Sequence, residues 1–269
     1  MSLGHIPWVE RLRTPARPPQ PWTSASWAAM GERELPVGRR RGGRGIILDL
    51  DDTLYPRERF VSSGFAAVAE FLATAHQVDA QRAFGLLTRA HAGPQHGQEF
   101  QWLCDRTGLS RELVPAMLDV FRRHMPTIQL NSGVADALRT LRSEGWRLGI
   151  LTNGLPSVQF RKVAALGLAS LVDDIVYAEE HAVGGKPGAA AFRAVLRALD
   201  LAPEQCLCVG DDAVRDIRGA RALGMRTVRL VRPGARLAAC DEADMVIHSL
   251  RELPGAAGLV HSMTGEHVA

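Results

Sequence analysis

Lysine is nearly absent from this chain: among 269 residues there are only Lys162 and Lys186, against 30 arginines. Alanine and glycine are abundant in the same sequence, so the scarcity of lysine is typical of a compositional bias that favours arginine. The planar guanidinium group of arginine cannot replace the compact ammonium group of lysine at every site. A lysine that such a chain keeps therefore indicates a position where the ammonium group itself is needed.

Cysteine is also scarce, and its four positions do not have the spacing of zinc ligands. We find no secretory leader, and two of the cysteines fall on one face of a predicted strand, as small buried apolar residues do. The sequence therefore excludes a disulfide-rich secreted protein and predicts a reducing, cytoplasmic setting. The four residues are Cys104, Cys206, Cys208 and Cys240.

The sequence lacks a long apolar run and a large net charge. No segment approaches the length of a membrane-spanning helix, so no membrane partner is expected. The net charge is +3, but residues 1–45 alone carry eight arginines and three glutamates. The rest of the chain has 24 basic and 26 acidic residues, a balance that gives no reason to expect a nucleic-acid partner.

Residues 1–44 differ in composition from the rest of the chain. They contain the proline-rich stretch "TPARPPQPW" and the basic run "GRRRGGRG", and neither a helical nor a strand period persists through them. We interpret them as a flexible basic and proline-rich leader. An alternative is that natural translation starts at Met30.

From Gly45 onward, short apolar runs alternate with amphipathic helices. The helices are predicted at 132–144, from Pro156, from Pro187 and at 213–223. Apolar strands separated by single helices predict an α/β fold, a doubly wound, Rossmann-like parallel sheet formed by residues 45–55 and 126–269. The predicted strands are "GIILDL", "WRLGILTN", "DDIVYA", "QCLCVGD", "MRTVRLV" and "ADMVIHS".

Residues 56–125 interrupt this alternation, because they show helical apolar spacing and no convincing strand. We predict an all-helical cap domain inserted after the first strand, where it could close over the residues that follow that strand. Two histidines in the stretch "HAGPQHG", His91 and His96, are interpreted as surface loop residues. A pair of histidines without further ligands makes a poor metal site.

Polar and charged residues follow four of the predicted strands. The carboxyl ends of parallel strands lie at one edge of the sheet, where ligands bind in such folds. Each feature alone is weak, but their common position at this edge predicts a functional site. The residues are Asp49 and Asp51 after the first strand, Thr152 after the second, Lys186 after the third, and Asp211, Asp212 and Asp216 after the fourth.

The chemistry of these residue types suggests why they are gathered. Asp49 and Asp51 project to the same side of an extended chain, whereas Asp52 is expected to point away. Together with Asp211 they form an oxygen-rich site that suits Mg²⁺. A carboxylate can also act as a nucleophile toward phosphorus, and a second one can protonate the leaving oxygen.

Two further groups suit a phosphoryl transfer at this edge. Thr152 and the backbone N–H groups of the turn formed by Asn153 and Gly154 can hold phosphoryl oxygens. Lys186 supplies a positive charge for both the nucleophile and the transferring group.

The chain resembles the haloacid dehalogenase superfamily of aspartyl-phosphate hydrolases. The stretch "DLDDT" is similar to the first motif of that family, Asp-x-Asp-x-Thr. Thr152 is similar to its second motif, Lys186 to its third, and "GDDAVRD" to its acidic fourth motif. The order and spacing of the four motifs agree with the family, and the helical insertion is similar to its C1 type of cap.

The resemblance implies a role for each matched residue. Asp49 would be the nucleophile and Asp51 the general acid and base. Mg²⁺ would bind the side chain of Asp49, the backbone carbonyl of Asp51 and Asp211. Asp216 would support the ion or Lys186, and Asp212 could bind the metal instead of Asp211 or beside it.

The resemblance predicts a Mg²⁺-dependent phosphatase of small phosphorylated metabolites, such as nucleotides or sugar phosphates. Relatives that cleave carbon–halogen bonds lack the acid at the position of Asp51, and sugar phosphomutases usually have glycine at the position of Thr53. A mutase-like enzyme and a catalytically idle relative that binds phosphorylated ligands remain alternatives. The order of the motifs and the inserted cap argue against a phosphoacceptor receiver domain. The oligomeric state is left open.

Overall fold

The computed structural model describes residues 43–181, 183–232 and 242–262. The predicted leader, including Met30, lies outside the described residues except for its last two positions, 43 and 44. The predicted sheet, the helical insertion and every predicted site residue lie within the described part.

Six parallel strands form one sheet in the order β3-β2-β1-β4-β5-β6. Each of the six predicted apolar runs forms one of these strands, and the predicted fold class is confirmed. The strands are β1 (Arg44–Leu48), β2 (Trp146–Thr152), β3 (Asp174–Tyr177), β4 (Cys206–Gly210), β5 (Arg226–Leu230) and β6 (Met245–Ile247).

Helices cover both faces of the sheet, which explains why its strands are apolar throughout. Successive residues of β1 alternate between two hydrophobic clusters, with Ile46 and Leu48 in one and Ile47 in the other. The first cluster receives side chains from α5 (Ser132–Ser143), α6 (Pro156–Ala165) and α9 (Leu253–Ser262), and the second from α7 (Ala189–Leu199).

Four helices occupy the interval in which the sequence predicts a cap: α1 (Arg57–His76), α2 (Ala80–Ala92), α3 (Glu99–Thr107) and α4 (Val114–Arg123). We call residues 57–123 the helical segment. It has a hydrophobic cluster of its own that includes Phe65, Leu87 and Met117. No strand occurs in it, as expected. That it acts as a separate cap remains a prediction.

Two local structures differ from the sequence prediction. In place of a regular helix over 213–223, a π-helical turn (Ala213–Arg218) continues as the short α8 (Gly219–Arg221). The carbonyl of Asp212 accepts the N–H groups of both Asp216 and Ile217, which widens the first turn. The helix predicted from Pro187 begins at Ala189, because Gly188 is still extended.

The cysteines in the described part are buried and unpaired. Cys206 and Cys208 belong to the same hydrophobic cluster, so their predicted position on one face of a strand is correct. Among the described helices, none combines the length and the hydropathy that crossing a membrane requires.

The stability of the sheet depends on Phe192, a fully buried residue of α7. We expect Phe192→Ala to lower the free energy of unfolding by about 3–5 kcal/mol, because it removes a large apolar group and leaves a cavity. Leu259→Ala in α9 is the control, since Leu259 is 62% exposed and its loss should cost less than about 0.5 kcal/mol. Urea unfolding of both variants tests this, and equal costs would contradict it.

Candidate active site

The carboxyl ends of β1, β2 and β4 meet at one edge of the sheet, because these strands are parallel neighbours. Leu48 at the end of β1 pairs with Ile150 of β2 and with Val209 of β4. A pocket of about 570 Å³ opens at this edge. All predicted site residues line it: Asp49, Asp51, Thr152, Asn153, Gly154, Lys186, Asp211, Asp212 and Asp216.

Lys186 is the centre of a buried cluster of charges. Its Nζ lies 2.6 Å from Oδ1 of Asp49 and 2.7 Å from Oδ1 of Asp216, and its side chain is only 3% exposed. The backbone N–H of Asp49 donates to the carbonyl of Val209 at 2.9 Å, which continues the pairing of β1 with β4. This pairing places the Asp49 carboxylate against the ammonium group.

Gly210, the last residue of β4, makes room for Asp216. A Cβ at position 210 would collide with the Asp216 carboxylate, so no larger residue fits there without a shift. Oδ2 of Asp216 accepts the backbone N–H of Asp212 at 3.1 Å, while Oδ1 binds Lys186. The two oxygens are therefore fixed by separate donors.

The pKa values of this cluster follow from burial and charge. Burial raises the pKa of Asp49 from 3.8 to about 6, since the attraction of Lys186 offsets only part of the lost hydration. Burial likewise raises the pKa of Asp216, against the opposing effect of Lys186. Burial alone would lower the pKa of Lys186, but the two carboxylates beside it raise that pKa. The lysine is therefore charged.

Asp211 completes a group of three carboxylates with Asp49 and Asp216, whose oxygens lie within 4.8 Å of one another. Burial and the negative charges of Asp49 and Asp52 raise the pKa of Asp211 to about 6. The hydroxyl of Thr53 donates to Oδ1 of Asp211 at 3.3 Å. Three carboxylates beside one ammonium group carry excess negative charge, and their oxygen donors fit a hard divalent cation such as Mg²⁺.

Asp212 makes different contacts. Its Oδ1 accepts the backbone N–H groups of Val214 at 2.9 Å and of Arg215 at 2.8 Å, and its Oδ2 lies 2.8 Å from the Arg215 guanidinium. The Asp212 carboxylate therefore caps the turn that follows it. This placement favours Asp211 over Asp212 as the metal ligand.

The carboxylate of Asp51 lies in a separate environment from that of Asp49. Both its oxygens contact Nζ of Lys162, at 2.8 and 2.7 Å. The hydroxyl of Tyr55 donates to it at 2.6 Å and the amide of Gln159 at 2.8 Å. Burial tends to raise the pKa of Asp51, but the charge and hydrogen bonds of Lys162 outweigh it and lower that pKa.

Sequence reasoning did not assign Lys162 or Gln159 to the site. They are three residues apart on α6, so both face the same direction, and Lys162 also lies 4.4 Å above the ring of Phe60 in the helical segment. A signal was present, because Lys162 is one of only two lysines in the chain. The scarcity that pointed to Lys186 applied equally to Lys162.

The residues of the turn after β2 form hydrogen bonds with other residues of the site. Thr152 is buried, and its hydroxyl accepts the Gln159 amide at 2.6 Å. Asn153 holds Lys186 through the backbone, accepting its N–H at 2.8 Å and donating to its carbonyl at 3.1 Å. The N–H of Gly154 donates to Oε1 of Glu179 at 3.1 Å. Glu179 also lines the pocket.

The expectation that Asp52 points away from the site is wrong. Asp52 lies in the left-handed region with φ 61°, so the alternation of an extended strand ends at Asp51. Its N–H donates to the carbonyl of Tyr55 at 2.9 Å, and its carboxylate accepts the N–H of Arg57 at 2.9 Å. Asp52 is among the residues that line the pocket.

The helical segment forms another wall of the pocket. Arg57, Phe60 and Val61 of α1 line it together with Phe121 of α4. The loops at the sheet edge thus provide the carboxylates and Lys186, α6 provides Lys162, and the helical segment provides mainly apolar groups and one arginine. A bound molecule would contact both.

The raised pKa of Asp211 gives a prediction about the metal-free protein. Its folded pKa of about 6 exceeds the ordinary value of 3.8, so the folded state holds this proton more tightly than the unfolded chain. The resulting stabilisation is complete below the ordinary pKa and is lost as the pH rises through about 6. We expect Asp211→Asn to stabilise the metal-free protein relative to wild type more at about pH 7.5 than at about pH 5.

Thermal unfolding with chelator and with Mg²⁺ tests this expectation. Mg²⁺ should stabilise wild type, because a ligand that binds only the folded state does so, and should not stabilise Asp211→Asn. Asp212→Asn is the matched control, one residue away, and should keep the response to Mg²⁺. The assignment is contradicted if Asp212→Asn loses the response and Asp211→Asn keeps it.

The pair formed by Lys162 and Asp51 gives a second prediction. Removing one member leaves the other buried without its partner, so Lys162→Met and Asp51→Asn should each cost more alone than in combination. We expect a coupling free energy of about 1–3 kcal/mol from a double-mutant cycle measured by urea unfolding. The exposed pair of Arg139 and Asp136, 2.8 Å apart, is the control and should give less than about 0.5 kcal/mol. Equal coupling in the two pairs would contradict the buried interaction.

Residues 44–224 match the model of the haloacid dehalogenase-like hydrolase family. The chain is 30% identical over 217 residues to the glyceraldehyde 3-phosphate phosphatase of Methanocaldococcus jannaschii, covering 78% of this chain and 95% of that protein. It is 33% identical over 139 residues to the phosphoserine phosphatase of Thermus thermophilus, covering 52% of this chain and 55% of that protein.

The fold is similar to that of the 2-haloacid dehalogenase of Pseudomonas syringae, with a TM-score of 0.57 and 25% identity. That alignment covers 81% of this chain and 99% of the dehalogenase. The family model spans the first strand, the helical segment and all four motifs. The chain therefore belongs to the haloacid dehalogenase-like hydrolases, as its motifs predict.

Proposed function

We propose that this hydrolase is a Mg²⁺-dependent phosphatase of small phosphomonoesters that works through an aspartyl phosphate on Asp49. The observation that carries the proposal is the separate environment of its two carboxylates. Asp49 contacts Lys186 at 2.6 Å, and Asp51 contacts Lys162 at 2.7 Å. Two carboxylates in one pocket with different partners suit a nucleophile and a proton-transfer group.

In the first step, an oxygen of Asp49 attacks phosphorus while the bond to the leaving oxygen breaks. Lys186 holds Asp49 in position, and its charge stabilises the negative oxygens of the transferring group. Asp51 gives a proton to the leaving oxygen. Lys162 lowers the pKa of Asp51 in the free protein, and the negative charge of a bound phosphate would oppose that effect and favour the protonated carboxyl.

In the second step, water attacks the phosphorus of the aspartyl phosphate. Asp51, now a carboxylate, accepts the proton of the water, and the bond between phosphorus and Asp49 breaks. Inorganic phosphate leaves, and both carboxylates return to their starting state. Mg²⁺ bound by Asp49 and Asp211 would supply positive charge that offsets the phosphoryl oxygens. Asp216 contacts Lys186 at 2.7 Å and so holds it beside Asp49.

Two features favour a phosphate ester over a carbon–halogen bond as the bond that this enzyme cleaves. The presence of Asp51 provides a proton donor, which an alkoxide leaving group needs and a halide does not. The two curated relatives described above are both phosphatases by name, of glyceraldehyde 3-phosphate and of phosphoserine. The pocket of about 570 Å³ suits a metabolite of similar size.

Phosphate release from a panel of sugar phosphates, nucleotides and phosphoserine, with Mg²⁺ and with chelator, tests the proposal. We expect Mg²⁺-dependent turnover that falls by about 10²–10⁴ in Asp51→Asn, the effect of losing a general acid and base. Asp49→Asn should release no phosphate above background, because the nucleophile is gone. Asp212→Asn, which changes a capping residue at the same pocket, should keep most of the activity.

The covalent intermediate can be tested independently. Acid quenching with labelled substrate should trap phosphate on wild type in a form that hydroxylamine removes, and Asp49→Asn should trap none. Turnover that persists in Asp49→Asn would overturn the mechanism. Transfer of phosphate between sugar positions without net release would instead indicate a mutase, and tight phosphate binding without turnover would indicate a binding protein.

A further inference from the structure

Three side chains with metal-binding atoms meet in the helical segment. His91 lies in the last turn of α2, Glu99 is the first residue of α3, and His96 lies in the turn between them. One donor atom from each of the three lies within 4.8 Å of the other two. None of these residues lines the pocket at the sheet edge, so the cluster is separate from the proposed active site.

The distances are close to those of a tetrahedral metal centre. Nδ1 of His91 is 2.8 Å from Oε1 of Glu99, and Nδ1 of His96 is 3.8 Å from the same oxygen. Ligands of Zn²⁺ with bonds of about 2.1 Å lie about 3.4 Å apart. Shifts of roughly 1 Å or less would therefore bring these donors to ligand positions around one ion.

Glu99 is held in place as a charged ligand. Its side chain is only 13% exposed. Its carboxylate accepts a hydrogen bond from the backbone N–H of Gly97 and lies 2.8 Å from Nδ1 of His91. An ionised and oriented carboxylate is what a metal site requires, and this one does not depend on a metal for its position.

The ring of His91 is also held through Nε2, the nitrogen that does not face Glu99. Its Nε2 lies 3.2 Å from Oε2 of Glu58 in α1, and its ring packs edge-on against Phe65 at 5.5 Å between centroids. A histidine that ligates a metal through one nitrogen commonly donates to a carboxylate through the other, which fixes the ring and raises its basicity. Glu58 stands where such a partner is needed.

His96 is held by a hydrogen bond to the backbone rather than by Glu99. Its Nδ1 contacts the carbonyl of His91 at 2.9 Å, while its distance of 3.8 Å to Glu99 is too long for a hydrogen bond. The two imidazole rings lie 4.5 Å apart between centroids, facing one carboxylate. Releasing the bond to the carbonyl would cost little beside the binding of a metal ion.

We propose that His91, His96 and Glu99 form a binding site for a divalent transition-metal ion, best suited to Zn²⁺, with water as the fourth ligand. Imidazole nitrogen suits zinc, whereas Mg²⁺ prefers oxygen ligands only, so this site and the acidic pocket select different ions. The sequence interpretation of the two histidines lacked a third donor, and Glu99 supplies it. A bound ion would tie the turn between α2 and α3 to both helices.

Zinc binding by the metal-free full-length protein in saturating Mg²⁺ tests the proposal, because Mg²⁺ occupies the acidic pocket. We expect calorimetry to detect a Zn²⁺ site, Zn²⁺ to raise the unfolding temperature, and Co²⁺ to give the visible absorption of a tetrahedral centre. His96→Ala should weaken binding by at least about tenfold, since even the partners of metal ligands are worth roughly 10- to 100-fold in affinity. His96 is 66% exposed, so this variant should fold normally.

Two controls separate this site from others. His76→Ala removes another histidine of the helical segment, one that packs on Phe71, and should leave zinc affinity unchanged. Asp211→Asn, which damages the acidic pocket, should also leave it unchanged. His91→Gln should weaken binding as His96→Ala does, while both retain Mg²⁺-dependent phosphate release. If wild type takes up no zinc in excess Mg²⁺, or if His96→Ala and His91→Gln bind it as wild type does, the cluster is a hydrogen-bonded network only.

Discussion

The contact of one buried ammonium group with two carboxylates is the constraint on which the rest of the site depends. Lys186 lies within 2.7 Å of both Asp49 and Asp216 and is almost fully enclosed. A charge in this position is stable only while its partners stay in place. The end of β1 supplies one partner, the turn after β4 supplies the other, and Asn153 after β2 holds the backbone of Lys186 itself. Three neighbouring strands are thereby fixed relative to one another where the proposed chemistry occurs.

Lys162 gives the carboxylate of Asp51 a different environment from that of Asp49. Asp49 and Asp51 are only two residues apart, yet the pKa of one is raised to about 6 and that of the other is lowered. Burial tends to raise the pKa of both carboxyls, so burial alone does not explain the opposite directions. Asp49 shares Lys186 with Asp216, whereas Asp51 contacts both Lys162 and the neutral donors Tyr55 and Gln159. Burial and the shared lysine therefore place the pKa of Asp49 above that of Asp51 in the free protein.

The fold and the motif residues could be predicted from sequence because each depends on local pattern. Apolar runs of strand length and acids placed directly after them are visible without knowledge of contacts. Lys162 is 111 residues from Asp51, and nothing local shows that α6 turns this face toward β1. The left-handed backbone conformation of Asp52 also cannot be predicted from the alternation of side chains along a strand. The scarcity of lysine was the one signal that did not depend on local pattern, and both lysines of the chain lie in the site.

The helical segment contacts the sheet edge through Phe60 and Lys162, beside Asp51. Phe60 of α1 lines the pocket, and its ring lies 4.4 Å from Nζ of Lys162, which in turn binds Asp51. A cation held against an aromatic face is stabilised by it, more so when desolvated. A change at Phe60 would therefore alter both the space in the pocket and the environment of Asp51, the proton donor of the proposed mechanism. Under that mechanism, selectivity for the leaving group and the acidity of Asp51 are linked, because one aromatic ring contributes to both.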